Sequence, residues 1–291
     1  MFQGSIPALI TPFRNGKIDD AALQRLVDRQ VAAGSHGLVP AGTTGESPTL
    51  EDDEHARVIA LTVEAAAGRV PVIAGCGAAS TAHAIHLMQQ AKAARADAAL
   101  VVTPYYNRPS QEGMFQHYKT LSEAVDLPIV AYNVPARTGV DLSPETVIRL
   151  AALPGVVGIK DASRDLGRVP RHRAGCPASF SLLSGDDDTM LGFNAMGGNG
   201  CISVTANVAP GPCAALHDAC RAGDYATARA INDALADLHR ALFCEPSPAA
   251  TKFALSLIAD ISPEARSPIM PLSEAGQAVV RDAMAKAGAL G

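Results

Sequence analysis

Lys160 closes an apolar run, Val156-Val157-Gly158-Ile159, and is the residue best placed in this sequence for covalent chemistry. An ammonium at the mouth of an apolar enclosure loses hydration, which lowers its pKa toward neutrality and leaves an amine able to attack a ketone. Position alone would favour a plainer reading, a solvated lysine at a strand end. Its company shifts the balance. Gly42-Thr43-Thr44-Gly45 offers two hydroxyls and the close backbone approach that glycine permits, an anion nest that a three-carbon keto acid would fit. Its plain alternative is a loop in which Thr49 caps the following helix. Tyr132 supplies either a phenol that shuttles protons to a carbonyl oxygen held on Lys160 or a ring that fills an interior. Arg137 sits in Asn133-Val134-Pro135-Ala136-Arg137-Thr138-Gly139, a proline-stiffened loop suited to hold a guanidinium fork for a second carboxylate; otherwise it is a surface arginine.

Metal chemistry has weaker support. Asp186-Asp187-Asp188 could suggest a cluster of ligands, but three carboxylates after a strand more simply cap the next helix. His83 and His86 are spaced to share one face of a helix, with no third ligand nearby in sequence. The six cysteines, Cys76, Cys176, Cys201, Cys213, Cys220 and Cys244, form no C-x-x-C pair, which argues against a zinc or dithiol site. We expect no metal. A net charge of -5 provides no field to draw in phosphate backbones or anionic lipid, so small molecules are the expected partners. Residues 1–13 carry no basic residue, and no apolar run approaches the roughly 18 residues of a spanning helix. The expected location is therefore cytoplasmic.

Residues so far apart in sequence need a fold that gathers them. Short β-branched or apolar runs at 6–10, 37–40, 70–74, 98–102, 128–132, 156–160, 180–184 and 200–204 are each followed by a helical pattern. Parallel strands joined by crossover helices follow from that alternation, and eight such units can close into a barrel. Leu23, Leu26, Val27 and Val31 form one helical face, with Asp19 or Asp20 available as its cap. Thr49 with Asp52 reads as a capping box for a second helix that stops at Gly68. After Ala206 only Ala-rich helical stretches remain, near 212–222, 225–243, 247–260 and 273–288. The expected fold is α/β: a (β/α)8 TIM barrel over residues 1–222 with a C-terminal helical bundle over 223–291. An open dinucleotide-binding sheet would show G-x-G-x-x-G in its first βα turn, where this chain has Thr11-Pro12-Phe13-Arg14-Asn15-Gly16. In a barrel the loops after the strands share one face. Thr43 and Thr44, Tyr105 and Tyr106, Tyr132, Lys160, and Asp186 would then converge.

Taken together, Gly-Thr-Thr-Gly-Glu-Ser (42–47), Pro-Tyr-Tyr-Asn-Arg-Pro (104–109), Tyr-Asn-Val-Pro-Ala-Arg-Thr-Gly (132–139), Gly-Ile-Lys-Asp-Ala (158–162), Ser-Gly-Asp-Asp (184–187) and Gly-Cys-Ile-Ser-Val-Thr-Ala-Asn (200–207) closely resemble the dihydrodipicolinate synthases, in order and over nearly the whole chain. The resemblance implies a lyase that condenses pyruvate with L-aspartate 4-semialdehyde through a Schiff base, without a dissociable cofactor. It implies Lys160 as the imine-forming residue and Tyr132 as proton donor and acceptor. Thr43 and Tyr106 would complete a proton relay, with Tyr106 entering from a neighbouring subunit of a homotetramer. Thr44 and the main chain at Ile202 would bind pyruvate, and Arg137 would receive the carboxylate of the aldehyde substrate.

Within that superfamily a sialic-acid lyase or keto-sugar-acid aldolase would use the same lysine and tyrosine, but Thr43 and Arg137 favour the synthase. A non-catalytic carboxylate-binding barrel would keep the turn and need no amine. Many relatives are also inhibited by lysine at a subunit interface. Ser47, His55 and Tyr105 retain polar groups there, while Asp52 stands for a histidine, Ala79 for an asparagine and His83 for a glutamate, so weak inhibition is expected.

Overall fold

The computed structural model describes residues 1–290. The chain runs β1 (Gly4–Pro7), β2 (Phe13–Arg14), β3 (Lys17–Ile18), α1 (Asp20–Ala32), α2 (Asp52–Ala66), β4 (Ile73–Gly75), α3 (Thr81–Ala93), β5 (Ala98–Val102), α4 (Gln111–Ala124) and β6 (Ile129–Asn133). It continues through α5 (Pro135–Thr138), α6 (Pro144–Ala151), β7 (Val156–Asp161), α7 (Arg168–Gly175), β8 (Ser181–Ser184), α8 (Met190–Ala195) and β9 (Gly200–Ser203). The C-terminal part is helical: α9 (Pro210–Ala222), α10 (Tyr225–Ala241), α11 (Ala249–Ile258) and α12 (Glu274–Lys286).

Seven strands pair in parallel in the order β1-β9-β8-β7-β6-β5-β4. Single bridges from Val39 to Ala8 and from Leu38 to Val72 set the remaining segment between β1 and β4, which closes the ring. The expected stave at 37–40 is thus present but reduced to two bridges. Pro40 has no N–H to give a ladder, and Ala41 turns left-handed at φ 52°, so extended pairing stops there. The third stave also pairs as a strand later than expected, from Ile73 rather than from residue 70.

Side chains alternate across each strand, and the alternation sets what faces the barrel interior. On β6, Ile129 and Ala131 pack outward against the helices, while Val130 and Tyr132 join Ile6, Val39, Ile73 and Leu183 inside. Ile159 on β7 packs outward as well, which turns its neighbour Lys160 inward. A second apolar cluster, with Leu235, Leu238, Leu242, Phe253, Val280 and Met284, binds the C-terminal helices together and reaches Val204 and Val208 just past β9.

Two local expectations are corrected. The capping box of α2 is formed by Glu51 and Glu54, not by Thr49 and Asp52. Thr49 belongs instead to a single 3-10 turn, its hydroxyl bonded to the Glu46 carbonyl at 3.0 Å, and extended Leu50 delays the helix. The first βα turn, read only for its missing glycine fingerprint, is a hairpin. Asn15 and Gly16 both have positive φ between β2 and β3, the two-residue turn that suits right-handed strand twist. Asp19 caps α1 as expected, accepting from the Ala22 N–H at 3.0 Å. Among the described residues no helix is long and apolar enough to cross a membrane.

Candidate active site

Lys160 and Tyr132 are register partners on β7 and β6, so two adjacent inward-facing positions bring amine and phenol to the same level. The Lys160 Nζ lies 4.2 Å from the centre of the Tyr132 ring, and the two residues are only 6% and 7% exposed. Gly185, at the end of β8, makes room for the lysine stem: a Cβ there would sit 3.0 Å from Lys160 Cε and 2.8 Å from the Ala162 methyl. Lys160, Tyr132, Thr43, Thr44 and Arg137 all line one cavity of about 540 Å³ at the C-terminal ends of the strands. Five of the candidate residues thus meet at one place although 117 positions separate Thr43 from Lys160.

The threonine turn is set from behind. Thr11 donates its hydroxyl to the Gly45 carbonyl at 2.7 Å, and a Cβ on Gly45 would lie 3.1 Å from the Leu9 carbonyl oxygen. Arg137 projects from the one-turn helix α5, exposed, and among the described residues it has no ion-pair partner. Its loop is braced by buried Asn133, which donates to Asp141 at 2.8 Å and accepts from the Leu142 N–H at 3.0 Å. Arg168 grips the same Asp141 at 2.8 and 2.5 Å, and that hydrogen bond holds its guanidinium pKa above the ordinary value. A pinned loop thereby presents a free cation to the cavity.

The two remaining candidates stand elsewhere in a single chain. The Ile202 side chain belongs to the apolar barrel interior and is not among the cavity-lining groups. Tyr106 is 94% exposed on the loop after β5, left-handed at φ 70°, and is not among the groups that line this cavity in its own chain. The aspartate run divides its labour. Asp186 does not cap α8, whose N-cap is Thr189 with no side-chain cap bond; it accepts from the Thr189 N–H at 3.1 Å in the turn before that helix, and it binds Arg164 at 2.6 Å. Asp187 turns inward and was missed: it accepts from the Ser203 hydroxyl at 2.5 Å and from the N–H groups of Val204 and Thr205 at 2.9 and 3.1 Å. It fixes the chain leaving β9 and so the main chain beside Ile202. No local signal distinguishes it from its two neighbours.

A second cavity, of about 400 Å³, shares Thr43, Val134 and Arg137 with the first and extends to Asp52, His83 and Tyr105. Asp52 faces His83 at 3.8 Å and His86 at 3.3 Å, the two rings stacked with centres 6.1 Å apart. His55 is buried nearby, donating from Nε2 to the Gly75 carbonyl at 2.7 Å, and its burial lowers its pKa. Among the described residues no group of three His, Cys, Asp or Glu side chains is placed to hold a metal ion. Burial pushes the thiols of Cys76, Cys201 and Cys213 well above their ordinary value, so these three are not nucleophiles.

Residues 1–287 match the dihydrodipicolinate synthetase family. The chain is 59% identical over 290 residues to the 4-hydroxy-tetrahydrodipicolinate synthase of Hyphomonas neptunium, covering 99% of each chain. It is 44% identical to the chloride-inhibited dihydrodipicolinate synthase of Acinetobacter baumannii complexed with pyruvate, with a TM-score of 0.97 and 99% of each chain covered. The enzyme of Cyanidioschyzon merolae with lysine bound is 34% identical at a TM-score of 0.96, again with 99% of each chain covered.

Proposed function

This chain belongs to the dihydrodipicolinate synthetase family, and from that membership we propose that it is a lyase condensing pyruvate with L-aspartate 4-semialdehyde to give 4-hydroxy-tetrahydrodipicolinate, on the route to diaminopimelate and lysine. The observation that carries the reading is the level pairing of Lys160 and Tyr132, amine 4.2 Å from the ring, in a cavity that also holds the Thr43-Thr44 turn and Arg137.

The Lys160 amine attacks C2 of pyruvate, and loss of water gives an iminium. That cation is an electron sink, so a methyl proton is lost and the resulting enamine attacks the aldehyde carbon. The new alkoxide takes up a proton; the substrate's own amino group then closes on C2, and the Lys160 amine departs. Because the imine supplies the sink, the reaction needs no dissociable cofactor and no metal. Each step moves a proton, which the phenol of Tyr132 and the hydroxyl of Thr43 relay. Thr44 and the main chain at Ile202 hold the pyruvate carboxylate. Tyr106 completes the relay from a neighbouring subunit of a cytoplasmic homotetramer, a role supported by its exposure and by its not being among the residues that line this cavity in its own chain. The division into a catalytic barrel (1–222) and a helical bundle packed on it (223–291) belongs to the same proposal, supported by the left-handed Gly223 that ends α9.

The test is a panel of aldehyde acceptors with pyruvate held constant. Aspartate semialdehyde should be consumed fastest; preference for an amino-sugar aldehyde would replace this reading with that of a sialic-acid lyase, and no turnover with a trapped adduct absent would leave a carboxylate-binding barrel. Arg137→Ala should raise KM for the aldehyde much more than KM for pyruvate, because a desolvated charge-assisted contact contributes roughly 1.5 to 3 kcal/mol. Steady-state kinetics with each substrate varied in turn checks this, and equal losses for both would remove Arg137 from that role.

Inhibition by lysine should be weak. Ala79 offers no side-chain hydrogen bond; at the second cavity His83 is neutral or repulsive to an ammonium, and Asp52, the one carboxylate lining it, already faces His83 and His86. Loss of one charge-assisted and one neutral contact costs roughly 2 to 4 kcal/mol, or one to three orders of magnitude in affinity. Titration with L-lysine at saturating pyruvate measures it, and half-inhibition below about 1 mM would contradict an affinity loss of that size.

A further inference from the structure

Glu46 is a non-glycine residue held left-handed at φ 57° directly after the Thr43-Thr44-Gly45 turn, and its side chain is buried. A carboxylate can be kept there only if it is paired and hydrogen-bonded. Both partners come from the far end of the chain. Lys252 on α11, fully buried, forms an ion pair with Glu46, and the Arg266 backbone N–H donates to the other carboxylate oxygen at 2.8 Å. Lys252 Nζ also donates to the Glu264 carbonyl at 2.7 Å. The segment around Arg266 is tied in turn to the chain on either side of the turn. Its guanidinium donates to the Thr49 carbonyl at 2.8 Å and the Gly16 carbonyl at 2.9 Å, and pairs with both Glu54 oxygens at 2.6 Å. The Glu264 carboxylate accepts from the N–H groups of Asn15 and Gly16, at 2.9 and 2.6 Å. Phe13 lies against both cations, its ring centre 4.2 Å from Lys252 Nζ and 4.3 Å from Arg266 Cζ.

We propose that Glu46, Lys252 and Arg266 are positioning residues for keto-acid binding: the C-terminal helical extension straps the threonine turn from outside the barrel and fixes its hydroxyls toward Lys160. This rests on the reading of Thr43 and Thr44 as the carboxylate-binding turn. None of the three strap residues lines the catalytic cavity, and the chain between Glu46 and Thr44 is a single glycine. A left-handed glutamate relaxes toward an ordinary conformation once its anchor is gone, since such backbone geometry persists only where surrounding contacts enforce it. The threonine pair then loses its register with the amine.

The decisive variant is Glu46→Gln/Lys252→Met, which removes both buried charges together, keeps an acceptor for the Arg266 N–H and preserves the aliphatic bulk. Its pyruvate KM should rise about tenfold or more, since displacement of a binding group by about 1 Å can cost up to about a hundredfold. Its KM for the aldehyde should stay unchanged, because Arg137 is braced by the separate Asn133-Asp141-Arg168 network. A folded double variant with an unaltered pyruvate KM, or with both Michaelis constants raised alike, overturns the proposal. Thr44→Val is the control for the premise: an unchanged pyruvate KM there shows that the turn does not bind the keto acid, and the strap proposal falls with it. A raised value there, with none in the double variant, rejects the strap alone. Should the double variant not fold, hydrogen exchange of the unmodified protein decides. Saturating pyruvate should slow amide exchange in residues 262–267 as well as in 42–49, and protection confined to the turn refutes the coupling.

Discussion

Lys160→Arg is expected to lose turnover by at least about four orders of magnitude, as covalent enzymes do on losing their nucleophile. A guanidinium stays charged at any pH the protein survives and has no lone pair to offer C2 of a keto acid. Its added bulk also meets a constraint visible in the structure, because the lysine stem packs so closely on Gly185 that even a Cβ there would lie 3.0 Å from Lys160 Cε. Lys160→Ala should fail equally while relieving that crowding, so the pair of variants separates lost chemistry from lost packing. Borohydride reduction in the presence of pyruvate, followed by mass spectrometry, gives the direct reading. The unmodified protein should gain one pyruvate-sized adduct and neither variant any; an adduct on the alanine variant would place the amine elsewhere.

Tyr132→Phe is expected to lower kcat by about 10²- to 10⁴-fold, the range of a positioned proton donor and acceptor. The ring remains, and with it the 4.2 Å contact that helps to hold Lys160, so the loss isolates the hydroxyl. The imine should still be trapped at long incubation, only more slowly. Pre-steady-state trapping against time makes the distinction. If imine formation keeps its full rate while condensation slows, Tyr132 acts after the Schiff base; if neither changes, it is only the wall of the pocket. Its place inside the barrel makes that last outcome a real alternative, since a buried tyrosine on a strand needs no catalytic reason to be there.

The sequence by itself determined the repeating strand and helix pattern, the four C-terminal helices, and the placement of Lys160, Tyr132 and the threonine pair at strand ends. Those features are local. A period of two on a strand, a 3.6-residue period on a helix and a glycine-bracketed turn are each written in fewer than about twenty consecutive residues. Parallel strands with their exits on one face then bring such ends together whatever their separation. Local chemistry also went astray where two candidates competed: Thr49 and Glu51 both suit a helix start, and the extended Leu50 between them decided for Glu51. Only the tertiary structure decided what depends on pairing across the chain. Lys252 and Arg266 read as ordinary charges of a helical tail, but the fold buries one and threads the other against Glu46 and Glu54, more than 200 positions away. Asp187 looks identical to Asp186 and Asp188 until the end of β9 and the turn after it supply three donors. The physical reason is the same in each case. A charge in sequence carries no sign of whether water or a partner will solvate it, and the distant segment that provides the partner is placed by packing, not by anything within reach of its own neighbours.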